Sequence, residues 1–435
     1  MRGAIAAGHP VTAEAGARVL AAGGNAVDAC LAAAFAAFVA EGPLTGPAGG
    51  GFLLTYVDGL VTLLDCFFAV PSRAQGAMEE VVIDFEDAST QVFHIGEASV
   101  AVPGLLAGLD DAHRRFGLVP WEDLVEPAIS VAAAGLDVTA AQSFLHSILT
   151  PILQRDDGGR RVYGDPARIA TEELAATLEL VRDRRSAAVA DLLPELAEDL
   201  AAYRPILREP LRGRFRGREV VATPAPSRGG AIVVAALERL EHAESLHDVA
   251  RALQLAYAGA PAGRLTGTTH ISVVDAAGNA AALSSTLGSG SGVFRGGTQL
   301  NNMLGELDVI GEGDRTPGER LASMMTPTIV LEAGRPRLTL GSAGSVRLAG
   351  AVAQVAKRVL DGVPLAEAID APRLHVEGDV LHLEGGYDDV PGWEAVRWAG
   401  RNLFFGGVSA VELRGDGTLA AAGDPRRGGH GIVVA

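Results

Sequence analysis

The stretch Thr268-Thr269-His270-Ile271-Ser272-Val273-Val274-Asp275 contains residues that could do chemistry. A threonine hydroxyl is a poor nucleophile unless a base sits beside it. Cutting the chain before Thr268 supplies that base, because the freed α-amino group can accept the hydroxyl proton. The stretch follows Leu265-Thr266-Gly267 and lacks the marks of a turn or a helix cap. It reads as the start of a buried strand, with Ile271 and Val273 set against Thr269 and Ser272. Taken alone, Thr268 is an ordinary strand residue.

Other candidates carry less. His270 next to a strand threonine reads as a structural histidine before it reads as a base. Gly288-Ser289-Gly290-Ser291-Gly292 does not form the nucleophile elbow of a serine hydrolase. Gly46-Pro47-Ala48-Gly49-Gly50-Gly51 lacks the Lys-Ser/Thr that completes a phosphate loop, and it reads as a tight turn that lets backbone approach a neighbour. Cys30 and Cys66 lie in apolar contexts and read as buried thiols. The ten histidines show no metal-binding spacing, so no metal and no cofactor is expected.

The elements that must position Thr268 are legible in outline. Thr12 opens a helical stretch that Gly23-Gly24 ends. Asn25 caps a second helix with Asp28 three residues on, and the small-residue run Ala29 to Ala40 suits a helix pressed on most sides. Residues 52–57 and 61–68 read as a hairpin across Asp58-Gly59. Residues 104–202 read as mostly helical, 218–222 as a short strand and 231–257 as helical. From Thr268 onward, strands are expected at 269–275, 279–286, 328–332, 336–341, 373–383, 407–413 and 431–435, with helices near 345–360 and 365–370.

Composition bounds the partners. The 435 residues are 48% hydrophobic but only 5% aromatic, so Ala, Val and Leu carry the burial and helices should pack closely on sheets. A net charge of −17, with Lys357 the single lysine, argues against nucleic acid or an anionic membrane as partner. The start of the chain shows no signal-peptide pattern, and the longest apolar run is too short to span a bilayer. A cytoplasmic location and a small-molecule substrate are expected. With no linker or repeat in view, the chain reads as one globular unit.

An ordered series of segments resembles the γ-glutamyltranspeptidase family along nearly the whole chain. It runs from Thr12-Ala13-Glu14-Ala15-Gly16 and Gly23 to Ala29, through Gly46 to Phe52, Val102-Pro103-Gly104, Trp121 to Gly135 and Tyr203 to Gly230. It continues with Thr268 to Thr286, Asn301-Asn302, Ser323 to Thr328, Gly341 to Arg347 and Asp424-Pro425-Arg426. The resemblance implies an α+β, four-layer αββα fold of the N-terminal nucleophile hydrolase type. It implies a precursor cut between Gly267 and Thr268 into fragments 1–267 and 268–435 that stay associated, with a heterotetramer as one assembly of them. Thr268 Oγ is then the nucleophile, and its α-amine, with a reference pKa of about 7.7–8.0, the base. Thr286 matches the threonine that hydrogen-bonds the nucleophile. The backbone N–H groups of Gly344 and Ser345 match the oxyanion hole, where the family has two glycines.

The same resemblance locates the departures where the family binds its glutamyl group. Phe67 replaces the arginine that clamps the substrate carboxylate. Gly288 stands for an asparagine, Met303 for Gln or Glu, and Glu306 for a shorter acid. Ser323-Met324 stands for a serine pair. A glutamyl carboxylate would lose its bidentate partner and meet apolar surface. An autoprocessing threonine hydrolase or acyltransferase with a small acyl donor is therefore expected, the γ-glutamyl amide being its default form. Two alternatives stand beside it. One is a C–C bond hydrolase of secondary metabolism that removes an oxalyl-type group from a pyrroline or proline precursor. The other is a non-catalytic binding descendant.

Overall fold

Asn25 begins the helix Ala26–Ala40 through a reciprocal cap: its side chain accepts from the Asp28 N–H at 2.9 Å, and the Asp28 carboxylate accepts from the Asn25 N–H at 3.1 Å. Every residue of this helix is buried, as its small side chains allow. It packs against the preceding helix Pro10–Ala22, which ends at Gly23 in the left-handed region, φ 95°. The computed structural model describes residues 1–435 except 74–75, 85–89, 260–266, 312 and 389. The residues immediately before Gly267, Leu265 and Thr266 included, therefore lie outside the described part.

Two antiparallel sheets form the centre. The seven-stranded sheet runs His430–Val434, Gly3–Ala7, Gly267–Asp275, Ala280–Gly288, Gly50–Val57, Leu60–Cys66 and Ile206–Arg208. The six-stranded sheet runs Leu419–Gly423, Gly407–Leu413, Arg335–Ala343, Thr328–Glu332, Arg218–Ala222 and Leu211–Phe215. Gly267–Asp275 packs face to face on Arg335–Ala343 and Gly407–Leu413. The helices Pro10–Ala22, Ala26–Ala40, Leu105–Phe116 and Trp121–Ala134 lie on the outer side of the first sheet. Gly229–Leu240, Leu246–Ala256 and Leu348–Leu360 lie on the outer side of the second. One apolar core fills each side, and the order helix, sheet, sheet, helix is the expected αββα sandwich.

The structure corrects several local expectations. The helix over 231–257 is two helices, because Ser245 and Asp248 form a capping box that starts a new one. The strand over 373–383 is the hairpin Leu374–Glu377 and Val380–Leu383, turned at Gly378 with φ 61°. Gly3–Ala7 and Leu419–Gly423 are strands rich in alanine and glycine, residues whose propensity does not announce strands. On strand Gly267–Asp275, Thr269 does not oppose Ile271 and Val273. It shares their parity and turns toward the end of helix Ala26–Ala40, where it bonds Glu41. Among the described residues no helix is long and apolar enough to cross a membrane.

Candidate active site

All nine residues of Gly267–Asp275 are buried, Thr268 being 2% exposed. The ladder with Ala280–Gly288 slips at the start of this strand. Gly267 lies opposite Gly288 but Thr269 opposite Ser285, which leaves Thr286 and Leu287 facing Thr268. Such a bulge withdraws residues from regular pairing and re-aims their side chains. Here it brings Thr286 to the peptide bond that precedes Thr268. The Thr286 hydroxyl donates to the Gly267 carbonyl oxygen and accepts from the Gly288 N–H at 2.8 Å. In the uncut chain its acceptor is thus the carbonyl of the bond before Thr268, where the sequence suggested the Thr268 hydroxyl.

Gly288 has φ 70°, and a Cβ there would come within 2.2 Å of Asn302 Oδ1. That position excludes a side chain, and the space is used by hydrogen bonds. Asn302 Oδ1 accepts from the N–H groups of Ser289 and Gly290 at 2.7 and 3.1 Å. Glu306 accepts from the Ser289 N–H at 2.9 Å and from its hydroxyl at 2.7 Å. Burial nevertheless pushes the Glu306 carboxyl up to about 7.

Across the cavity, strand Arg335–Ala343 ends in a turn that starts a helix. Gly344 has φ 126°, and a Cβ on it would meet the Gly406 Cα at 2.8 Å. Ser345 has φ 56°, an uncommon conformation for a residue with a side chain, and its buried Oγ has no partner among the described residues. The 3₁₀ turn Ser345–Arg347 leads directly into helix Leu348–Leu360. Tyr257 locks this junction. Its hydroxyl donates to the Val346 carbonyl oxygen and accepts from the Gly350 N–H, both at 2.8 Å.

Phe67, Thr268, Thr286, Gly288, Met303, Glu306, Ser323, Met324 and Ser345 line one pocket of about 310 Å³. Gly344 does not line it; it is the residue that enters the Ser345–Arg347 turn. Phe67 stacks on Phe52, centroids 5.3 Å apart, and meets Phe68 edge-on at 4.9 Å. Ser323 Oγ accepts from the Met325 N–H at 3.0 Å and shapes the turn that carries Met324 and Met325. Among the described residues, Glu306 is the only ionisable side chain in the lining. His270 lies outside it, held by the Ser284 and Ser272 hydroxyls at 2.8 and 2.9 Å. Burial pushes His270 down to about 3, so it is a neutral structural residue. Cys30 and Cys66 are buried free thiols, and burial pushes Cys66 up to about 12.

The family model for gamma-glutamyltranspeptidase matches residues 12–189, 195–263 and 256–434. The chain belongs to the γ-glutamyltranspeptidase family. Similar curated proteins include the acylase ACY 1 proenzyme of Pseudomonas sp. strain SE83, 29% identical over 100% of this chain and 94% of its own length. The glutathione hydrolase proenzyme of Pseudomonas aeruginosa is 28% identical over 99% and 94%. The alignment with ACY 1 spans 530 positions, so that relative carries segments this 435-residue chain lacks. Among solved structures, cephalosporin acylase from Bacillus halodurans superposes with a TM-score of 0.85 at 21% identity, covering 99% of this chain and 95% of that one. The fold is that of the N-terminal nucleophile hydrolases, and the γ-glutamyltranspeptidase-like chain is a hydrolase or transferase. The non-catalytic reading is set aside.

Sequence reasoning missed two members of the neighbourhood. Tyr257 looked like the last residue of an unremarkable helix, and only the tertiary structure carries its hydroxyl to the Ser345 turn. Glu41 follows a long apolar run, a position with no local signal. Its carboxylate accepts from the Thr12 hydroxyl at 2.7 Å and from the Thr269 hydroxyl, and burial raises its pKa.

Proposed function

We propose that the chain cuts itself between Gly267 and Thr268, and that Thr268 then transfers a small, largely apolar acyl group to water or an amine. The observation that carries this reading is the Thr286 hydroxyl resting on the Gly267 carbonyl, with Thr268 and Ser345 in the same pocket. A carbonyl that accepts a hydroxyl proton is polarised toward attack. In self-cleavage Thr268 Oγ adds to the Gly267 carbonyl carbon, the C–N bond breaks and the nitrogen takes a proton. Water then hydrolyses the resulting ester, leaving fragments 1–267 and 268–435.

In turnover the freed α-amine takes the Thr268 hydroxyl proton as Oγ attacks the substrate carbonyl. The backbone N–H groups of Gly344 and Ser345, at the positive end of helix Leu348–Leu360, serve the developing oxyanion. Collapse passes the proton to the leaving group and leaves an acyl ester on Thr268. Water or an amine then attacks that ester, and the α-amine takes its proton.

The acyl wall supports an apolar donor over a glutamyl one. Phe67, Met303, Met324 and Met325 offer no cation to a substrate carboxylate, and Glu306 would repel one when ionised. The name of the ACY 1 relative is in keeping with acylase chemistry. Intact-mass measurement tests the processing step: the wild type should yield two fragments meeting at 267/268, and Thr268→Ala should stay whole. A wild type that remains one chain on prolonged incubation rejects the nucleophile assignment. A panel of 4-nitroanilides tests the donor, butyryl and hexanoyl being preferred over γ-glutamyl. Failure of all the anilides, with a 2-oxo acid cleaved at carbon instead, would favour the C–C hydrolase.

A further inference from the structure

A second cavity lies near strand Gly267–Asp275 and is linked to it through Glu41, which accepts from the Thr269 hydroxyl. It lies where the Gly8-His9 junction, the end of helix Ala26–Ala40 and the start of helix Ala140–Leu153 meet. A smaller space of about 280 Å³ shares Gly8, Glu41, Leu44 and Arg427 with it and has Thr268 and Thr269 in its wall. With the catalytic pocket this smaller space shares only Thr268.

Three polar side-chain atoms in the lining of this cavity, on His9, His146 and Arg427, lack a hydrogen bond of standard geometry among the described residues. His9 is 5% exposed, and its Nδ1 accepts from the Val11 N–H at 3.2 Å, which leaves the ring proton on Nε2. No hydrogen bond of standard geometry reaches that Nε2 among the described residues, although the Gln142 side chain lies close enough to act on the ring. The adjacent Gln142 gives its amide to the Ala40 carbonyl oxygen, and its own carbonyl accepts from Thr139. His146 Nε2 and Arg427 Nε are likewise unpartnered.

Arg427 is a cation without a carboxylate. Its Nη2 donates to the Leu403 carbonyl oxygen at 3.2 Å, and no ion pair forms to it among the described residues. Neighbouring Asp424 is taken by Arg373 and Arg426. Burial pushes Arg427 down to about 10 and His146 to about 4, so at neutral pH the guanidinium carries charge and the imidazole does not. Glu41 does not neutralise Arg427, because both its oxygens already accept threonine hydroxyls and burial favours its neutral form. The remaining wall carries Leu44, Leu145 and Leu403, together with Thr139 and the ion-paired Arg426. Unpartnered buried polar atoms are costly, and His9, His146 and Arg427 all line this one cavity.

We infer that this cavity is a second ligand site, for an aliphatic monocarboxylate whose head meets Arg427 and the His9 Nε2–H and whose chain lies along Leu44 and Leu145. Of the two guanidinium groups in the lining Arg426 is already paired with Glu384 and Asp424, so one unpaired guanidinium and neutral imidazoles suit a monoanion better than a phosphate dianion. The site is independent of the donor preference proposed above. Calorimetric titration of the full-length Thr268→Ala chain with sodium hexanoate tests it. Saturable one-to-one binding is expected, at least tenfold tighter than hexan-1-ol, which has the same chain and no charge. Arg427→Met and Leu145→Trp should each weaken hexanoate at least tenfold, while Met303→Trp, which fills the catalytic pocket, should not. No saturable binding in the millimolar range overturns the inference, as does equal affinity for hexan-1-ol. Loss of binding only in Met303→Trp overturns it too, by placing hexanoate in the catalytic pocket. The hexanoate–hexanol comparison needs none of the cavity variants to fold.

Discussion

The two halves of the catalytic pocket are built on different principles. Around Thr268 the geometry is held by backbone: a bulge that faces Thr286 and Leu287 to one residue, a glycine at 288 that admits no side chain, and a turn at Gly344–Ser345 that begins a helix. Across from it, the apolar side chains Phe67, Met303, Met324 and Met325 belong to one core cluster, with Glu306 and Ser323 the polar side chains beside them in the lining. Backbone-held features tolerate few changes without loss of the strand itself. A wall of side chains can be exchanged while the fold stays in place, so the chemistry is conserved by geometry and the substrate is chosen by packing.

That contrast can be broken at several points. Thr268→Ala should abolish self-cleavage and reduce turnover by about 10⁴-fold or more, read by intact mass and by anilide hydrolysis. Thr286→Val should keep the bulge but remove the hydroxyl from the Gly267 carbonyl. A slowing of self-cleavage by about 10²–10³-fold is expected, comparable to losing an oxyanion donor. An unchanged rate would show that the bulge alone suffices. Phe67→Arg acts on the other half. It removes the stack on Phe52 and buries a cation, so it should cost about 3 kcal/mol in denaturant unfolding yet leave self-cleavage within a few-fold. Gain of γ-glutamyl anilide turnover in that variant would sharpen the division of labour.

Smaller effects separate the ionisable group from its surroundings. The Glu306 carboxyl has its folded-state pKa raised to about 7 from 4.5. Its contribution is fully present below about 4.5 and is lost as pH rises through about 7, where burying the charge becomes costly. Glu306→Gln should therefore be more stable than wild type at pH 8 by on the order of 1–3 kcal/mol, with the gap closing toward pH 4. A gap independent of pH would remove Glu306 from this account. Ser345→Gly relieves a left-handed residue and an unpartnered hydroxyl, and a gain of about 1 kcal/mol in thermal unfolding is expected with self-cleavage retained. Loss of self-cleavage in that variant would mean that the hydroxyl itself takes part.

Much of this architecture was legible in the chain. Asn25 and Asp28 marked a helix start because a capping box is a local hydrogen-bond pattern. Thr268 to Thr286 read as paired strands because alternation and a turn are local too. The residues expected around the substrate do meet in one pocket, and Gly344 stands outside its lining. The two-helix break at Ser245 was also written locally and was passed over inside a long apolar pattern. The strand Gly3–Ala7 was not legible, since alanine acquires its place there only by pairing with Gly267–Asp275 and His430–Val434.

The residue types of Thr268, Thr286, Phe67 and Met303 belong to the sequence alone, and with them the kind of nucleophile and the loss of a cation from the acyl wall. The tertiary structure decided what each of them touches. It directed the Thr286 hydroxyl to the Gly267 carbonyl through a one-residue slip of register, carried Tyr257 to the Ser345 turn, and put His9 and Arg427 into a cavity near strand Gly267–Asp275. Side-chain chemistry is fixed at each position of a chain, whereas burial, register and the meeting of residues far apart in sequence exist only once the sheets have packed.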